Sequence, residues 1–241
     1  MDKHIERVAK SYDRHIIEYD DPDGLDYDNL PEYITGDPGY RVWKNECRNG
    51  REGINQADLM DYLSPESGME FVHLGCGLGL MMKGYDKWPS NYHGIDISGK
   101  GIKLISDYAE KNNIPVGSLH WGSVHDTPFG DNFFHIGDCI GVLEYYGRDF
   151  VLTAIKEFRR ILKPGARLVL DIPNIESPSG RMMMRVEEYM GRPDLFDMTP
   201  LEFEDLIADY FEIVDSDRIH AEKRGSEFIG MAYFYCLKCK P

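Results

Sequence analysis

The chain has 241 residues, 42% of them hydrophobic, which suits one large α/β domain with an appendage better than two full domains. Its 27 Lys and Arg against 42 Asp and Glu leave a net charge of −15. Such a chain is repelled by phosphate backbones and anionic membranes, and its one short basic run, "FRRILK", sits in a helical pattern. Nucleic-acid and membrane partners are therefore disfavoured; a small-molecule or cationic partner is expected, unless the charge serves solubility alone.

The start, "MDKHIERVAK", lacks an apolar signal region, and no apolar run approaches the roughly 18 residues of a membrane span. Five cysteines, Cys47, Cys76, Cys139, Cys236 and Cys239, form no disulfide framework, so a reducing, cytoplasmic setting is expected. "CLKC" at 236–239 falls on a strand pattern, where a three-residue offset sends the side chains to opposite faces, so neither a zinc nor a redox role is expected.

In chain order, Ile5, Val8, Tyr12, Ile16 and Tyr19 recur at a helical period over residues 3–19. A segment rich in Asp, Pro, Gly and Tyr follows over 20–50, a long loop or short helices, and a helix from about Asn55 to Leu63 ends at "SPESG". Short apolar runs then alternate with helical stretches. "MEFVHL" predicts a strand, "LGLMMKGYDK" a helix and "NYHGIDI" a strand. "GIKLISDYAEKNN" predicts a helix with Ser98 as N-cap. "PVGSLHW", "NFFHIGDC" and "ARLVLDI" predict strands, the last two separated by the amphipathic helix "DFVLTAIKEFRRILK". "TPLEFEDL" carries a capping box, Thr199 with Glu202, and opens a helix through Tyr210. "FEIVDSDRIH" predicts a strand joined through "AEKRGS" to "EFIGMAYFYCLK". That tail is apolar on both faces, so it belongs inside a sheet rather than at its edge. The alternation predicts a mostly parallel sheet covered on both sides, ending in an antiparallel pair whose last strand is interior.

"FVHLGCGLG", residues 71–79, runs a buried strand into Gly75, Gly77 and Gly79. Such a loop lets a ligand approach the backbone closely. The third glycine of a dinucleotide loop would fall at Leu80, which disfavours a nicotinamide-dependent oxidoreductase. Asp96, 21 residues after Gly75 in "GIDIS", stands where a carboxylate accepts hydrogen bonds from ribose hydroxyls. Loop and acid together imply an adenosine-containing ligand with no required pyrophosphate.

With these motifs in sequence, residues 69–239 resemble the class I S-adenosylmethionine-dependent methyltransferases. "VHLGCGLG" looks like their first motif and "GIDIS" their second. "GSVHDTPFGDNFFHIGDCIGVLEYYG" is similar to the third and fourth region, "ILKPGARLVL" to the fifth strand, and "VAKSYDRHIIEYDD" to the lead-in helix of small-molecule members. The resemblance implies a Rossmann-like, doubly wound α/β sheet of seven strands, the last antiparallel and interior. An N-terminal helical cap over 1–66 would precede a cofactor-binding domain over 67–241, with a lid insertion at 174–198. The donor would be S-adenosylmethionine and the product S-adenosylhomocysteine, with a small-molecule acceptor, no metal, and a monomer or homodimer.

The resemblance places Gly75, Cys76, Gly77 and Gly79 beside the methionine portion, Asp96 on the ribose and Ile97 on adenine, with Ser98 following. Ser123 and Val124 match the adenine edge, and Cys139 and Ile140 the wall beyond the fourth strand. Glu144 and Tyr145 occupy a common Glu-His place, so Glu144, Tyr145 and Tyr146 are the catalytic candidates, ahead of His120 and His125. Three positions depart from the family: His73 for the acid of the first motif, Ser123 for the adenine-site acid, and Tyr145 for the histidine. A neutral His73 can still accept a hydrogen bond, and cofactor affinity is then expected to fall as pH drops through its pKa; otherwise His73 faces the sheet interior with no effect on ligand.

On the acceptor side, aromatics such as Tyr12, Tyr19, Tyr27, Tyr33 and Trp43 suit a sulfonium neighbour, and "GRMMMRVEEYMGRP" suits an adaptable lid. Tyr12, Tyr19, Tyr33, Trp43, Arg181 and Met182 are the substrate candidates; Arg185 and Arg192 could also hold an acidic group, and the alternative is a cap helix with methionine as filler. The function expected is methyl transfer to a small organic acceptor by in-line displacement, the enzyme's main work being alignment and desolvation. The alternative is a noncatalytic cofactor-binding regulatory subunit of the same fold.

Overall fold

The buried run Phe71–Leu74 forms the first strand of a sheet that each later apolar run extends. The computed structural model describes residues 2–18, 30–49, 56–225 and 230–241, so Tyr19 and Tyr27 lie outside the described residues. Four helices come first: α1 (Lys3–Glu18), α2 (Glu32–Thr35), α3 (Pro38–Asn49) and α4 (Gln56–Leu63). Then follow β1 (Glu70–Leu74), α5 (Gly79–Met82), β2 (Asn91–Asp96), α6 (Gly99–Asn112), β3 (Val116–Trp121), β4 (Phe134–Cys139), α7 (Arg148–Ile161) and β5 (Leu162–Pro173). The chain closes with α8 (Pro178–Tyr189), α9 (Pro200–Ile207), β6 (Phe211–Ser216), α10 (Asp217–Arg224) and β7 (Ala232–Cys239).

Among the described residues the strands form one seven-stranded sheet in the order β3-β2-β1-β4-β5-β7-β6. The first five strands pair in parallel, and β7 runs antiparallel to both β5 and β6, so the last strand is interior. That is the Rossmann-like arrangement the family resemblance implies, and the interior last strand is the one the apolar tail predicts. One face buries α1, α7 and α9 through Val8, Phe158 and Phe203; the other buries α4, α5 and α6 through Leu63, Leu80 and Ile105. Cys236 joins the second core and Cys239 the first, as a three-residue offset on a strand requires.

The caps are built as the sequence indicates. Ser98 Oγ accepts from Gly101 N at the start of α6, and Thr199 and Glu202 form a reciprocal capping box on α9. Two elements differ from expectation. The helix predicted over 78–87 is cut to α5 and a 3-10 turn at Tyr85–Lys87, because Gly84 takes a left-handed φ of 72° between them. The strand predicted to run through His220 stops at Ser216. Ser216 Oγ accepts from Ile219 N and nucleates α10, which ends on left-handed Gly225, so the β6–β7 connection is a helix rather than a short hairpin loop.

Candidate functional site

The strand order reverses between β1 and β4, and the loops leaving the C-terminal ends of β1, β2 and β4 surround a cavity of about 770 Å³. Its three loop glycines do different work. A Cβ on Gly75 would lie 2.2 Å from Val142 Cγ2, and one on Gly79 would lie 2.1 Å from His73 Cε1, so both are required by packing. A Cβ on Gly77 would meet nothing within 4 Å. Gly77, with φ of 43°, is the point where a ligand can approach the backbone. The loop is fastened to β2 by Gly75 N and Cys76 N, which both donate to Ile95 O at 2.9 and 3.0 Å.

Asp96 ends β2 and joins the glycine loop to the start of α6. Its Oδ2 accepts from Gly77 N and its Oδ1 from Ser98 N, each at 2.7 Å. Burial raises its pKa above the ordinary aspartate value, against the lowering effect of those two donors. The carboxylate lines the cavity with lone pairs left for a vicinal diol. These residues fit a nucleoside: an open backbone cradle at Gly77, an acid one strand away, and Ile97, Ser123 and Val124 along the neighbouring wall.

His73 is 1% exposed and packs under Gly79, ringed by Phe71, Tyr85 and Tyr92. Its Nδ1 lies 2.9 Å from Tyr92 Oη. Burial, reinforced by the Lys83 charge, holds its pKa well below the ordinary histidine value. The ring is neutral at physiological pH, and any loss of affinity through its titration falls well below the ordinary histidine range. Opposite it on β4 is Asp138, fully buried, whose Oδ2 accepts from Tyr85 Oη at 2.6 Å; burial pushes its pKa up to about 6. The sequence reading did not single out Asp138, because its facing of His73 depends on the β1–β4 register.

The other wall is a hydrogen-bonded chain. Tyr12 Oη and Tyr145 Oη are 2.8 Å apart, Tyr145 donates to Glu187 Oε2 at 3.3 Å, and Glu187 pairs with Arg192 at 2.6 Å. Arg192 also lies 4.8 Å from the Tyr12 ring centroid. Burial raises both phenol pKa values well above the ordinary tyrosine value, so both hydroxyls keep their protons at neutral pH. Tyr146 lines the cavity and stacks on Phe150 at 3.7 Å. Glu144 sits behind Gly141, outside the lining; burial, then Asp171 and Asp194, push its pKa well up.

Thus Tyr12, His73, Gly75, Cys76, Gly77, Gly79, Asp96, Ile97, Ser123, Val124, Ile140, Tyr145 and Tyr146 share one cavity. Ser98 and Cys139 do not line it: Ser98 caps α6 and donates to Asp13 Oδ1 at 2.6 Å, and Cys139 packs in the core. Trp43 and Met182 are buried with Ile34 and Val186 in a separate small core joining α2, α3 and α8. The methionine helix therefore spends Met182 on packing rather than on the cavity. Tyr33 is exposed, and Arg181 donates to the carbonyls of Ile175 and Glu176. Lys83, Met82 and Tyr85 line the cavity without having been picked out by the sequence; they flank the left-handed Gly84 that ends the predicted helix early.

A family model described as "Methyltransferase domain" matches residues 72–170. The chain is 26% identical over 189 residues to a ubiquinone biosynthesis O-methyltransferase of Rickettsia akari, covering 72% of this chain and 73% of that one. It is 31% identical over 140 residues to a probable methyltransferase, ltbC, of Aspergillus luteorubrus, covering 54% of this chain and 48% of that one. Among solved structures, geranyl diphosphate C-methyltransferase from Streptomyces coelicolor A3(2), in complex with Mg2+, geranyl-S-thiolodiphosphate and S-adenosyl-L-homocysteine, aligns over 100% of this chain and 99% of its own, with a TM-score of 0.64 and 16% identity. The [4+2]-cyclase SpnF aligns over 76% of this chain and 78% of its own, with a TM-score of 0.57 and 17% identity. At such identities these structures share the fold, and a fold shared with a cyclase does not by itself fix the reaction.

Proposed function

We propose, from the premise that this chain belongs to the class I S-adenosylmethionine-dependent methyltransferases, that it transfers a methyl group from S-adenosylmethionine to a small organic acceptor. The observation that carries the reading is Gly77: a loop glycine with room for a ligand, hydrogen-bonded to the Asp96 carboxylate at the end of the next strand. When bound, the donor supplies an already activated methyl group on a sulfonium. The chain's own residues then orient and exclude water. Asp96 accepts from the ribose hydroxyls, Gly77 exposes backbone to the thioether chain, and Ile97 with Val124 flanks the base. Tyr12, Tyr145 and Tyr146 form the facing wall.

Tyr12 and Tyr145 are neutral and their hydroxyl hydrogens are committed along the chain to Glu187, so they position an acceptor rather than take a proton from it. That favours an acceptor that is nucleophilic without a strong base, with an apolar part to meet Ile140, Val142 and the tyrosine rings. No helix among the described residues is long and apolar enough to cross a membrane. The same closed tyrosine–glutamate–arginine chain is what would favour the second reading, a chain of this family that binds the donor without transferring the methyl group.

The test is calorimetric titration with S-adenosylhomocysteine, S-adenosylmethionine and NAD, followed by transfer of labelled methyl from S-adenosylmethionine into a small-molecule extract. Micromolar binding of the first two, none of NAD, and label in the extract are expected. Binding without transfer to any acceptor would support the second reading, and no binding of any of the three would overturn both.

A further inference from the structure

The cavity extends well past its donor end. Its lining runs from Asp96 on β2 to Phe234 on β7, four strands along the sheet, or ~19 Å at ~4.8 Å per strand. The nucleoside residues follow β2 and β3, and the glycine loop follows β1. The part over β5 and β7 lies beyond both. It is lined by Leu59, Met60 and Leu63 of α4, Val169 of β5, Phe234 of β7 and Met82 at the end of α5. Leu59, Leu63 and Val169 belong to the core under α4 to α6, and Phe234 packs against it. The tyrosine wall packs in the opposite core, so this lobe is a separate compartment of the same cavity.

The sequence explains why the lobe is open. α5 holds four residues, ~6 Å of helix, before left-handed Gly84 turns the chain. Met82 is left 62% exposed, and neither it nor the half-buried Met60 joins any of the three cores. Two adaptable thioether side chains therefore face the lobe without a packing partner there. The charged lining residues stand on its donor side: Asp96 after β2, and Lys83 at 3.7 Å from Asp138 of β4. Asp171, paired with Phe234 across β5 and β7, does not line the lobe and turns Oδ1 to Gly141 N at 2.8 Å. An occupant thus meets mainly apolar surface. Ile140, just past β4, lines the cavity and packs on the same core, so it bridges the donor end and the lobe. From β4 to β7 is two strand spacings, ~10 Å, the reach of a chain of roughly eight carbons joined by ~1.5 Å bonds.

We propose that the lobe takes an aliphatic chain on the methyl acceptor. The acceptor is then an amphiphile: a nucleophilic polar head at the tyrosine wall, and a chain of roughly eight carbons passing Ile140 to end between Met60 and Phe234. This rests on the methyltransferase reading and deepens it by naming the acceptor class.

The full chain, saturated with S-adenosylhomocysteine, is titrated calorimetrically with 4-ethylphenol, 4-butylphenol and 4-hexylphenol. Affinity is expected to rise about three- to fourfold per added methylene as the chain enters the lobe. Met60→Trp, which fills the lobe, is expected to abolish that rise while S-adenosylhomocysteine affinity stays within about twofold. A flat series, no binding at any length, or a rise that persists in Met60→Trp would overturn the proposal. If Met60→Trp no longer binds S-adenosylhomocysteine, Met82→Glu decides, since its exposed site tolerates the change: a rise lost there supports the lobe, and a rise retained overturns it. Failure of the unmodified chain to bind S-adenosylhomocysteine would instead overturn the methyltransferase reading itself.

Discussion

Replacing Asp138 with Asn should make the protein more stable, and only above a definite pH. Asp138 is fully buried, and its pKa is pushed up to about 6 by burial, even with Lys83 and the Tyr85 hydroxyl pulling it down. Below about pH 4 the carboxyl is protonated in both folded and unfolded chains, so it costs nothing. Between about 4 and 6 the unfolded chain releases the proton while the native chain keeps it, and native stability falls as pH rises. Above 6 both are ionised and the deficit is constant. At ~1.4 kcal/mol per pH unit the gap from an ordinary aspartate to about 6 amounts to ~3 kcal/mol. Asparagine keeps an oxygen for the Tyr85 hydroxyl where Asp138 Oδ2 stood, while Lys83 turns to water. Urea titrations from pH 3.5 to pH 8 measure the difference. The expected result is equal stability at pH 3.5 and a gain of up to ~3 kcal/mol for Asp138→Asn at pH 8, with unchanged m-values. A variant less stable than the parent at pH 8, or a gain independent of pH, would refute the reasoning.

Gly79→Ala should lose ~1–3 kcal/mol in urea denaturation, because its methyl would drive into the enclosed His73 ring. Gly77→Ala should lose ~1 kcal/mol from its left-handed backbone but weaken S-adenosylhomocysteine in calorimetry. Asp96→Asn should cut affinity for S-adenosylhomocysteine and for 5′-methylthioadenosine alike, by roughly 10- to 100-fold, since the ribose is common to both; a loss confined to the former would contradict a ribose role.

The parts of this architecture that a sequence can show are those whose signals are local. Alternating apolar runs located the strands, and Ser98 and Thr199 announced their helices because a cap reads from three or four adjacent residues. The interior place of β7 was legible because both of its faces are apolar. The helix over 217–224 was not, because "DRIH" continues a strand-like rhythm and Ser216 turns the chain only through its side chain. The glycine loop and Asp96 formed one recognisable unit, whereas the pairing of His73 with Asp138 depends on a strand register that no spacing encodes. Trp43 and Met182 were taken for acceptor contacts on composition, yet which side of a helix meets a cavity and which meets another helix is decided by packing with α2, α3 and α8.

The aromatic nest around His73 also equips the molecule with an optical reporter. Trp88 lies 4.6 Å from Tyr85 and 4.8 Å from Phe71, in direct contact with the rings that enclose the cavity floor. Of the other two indoles, Trp43 is shut in the distant α3–α8 core and Trp121 is 69% exposed at the end of β3. Trp121 is expected to emit at the red edge and to be quenched by iodide from solution, leaving the bluer emission to Trp43 and Trp88, of which Trp88 packs on the cavity-lining Tyr85. Occupancy of the cavity floor can therefore be followed by fluorescence in the native chain, without a label.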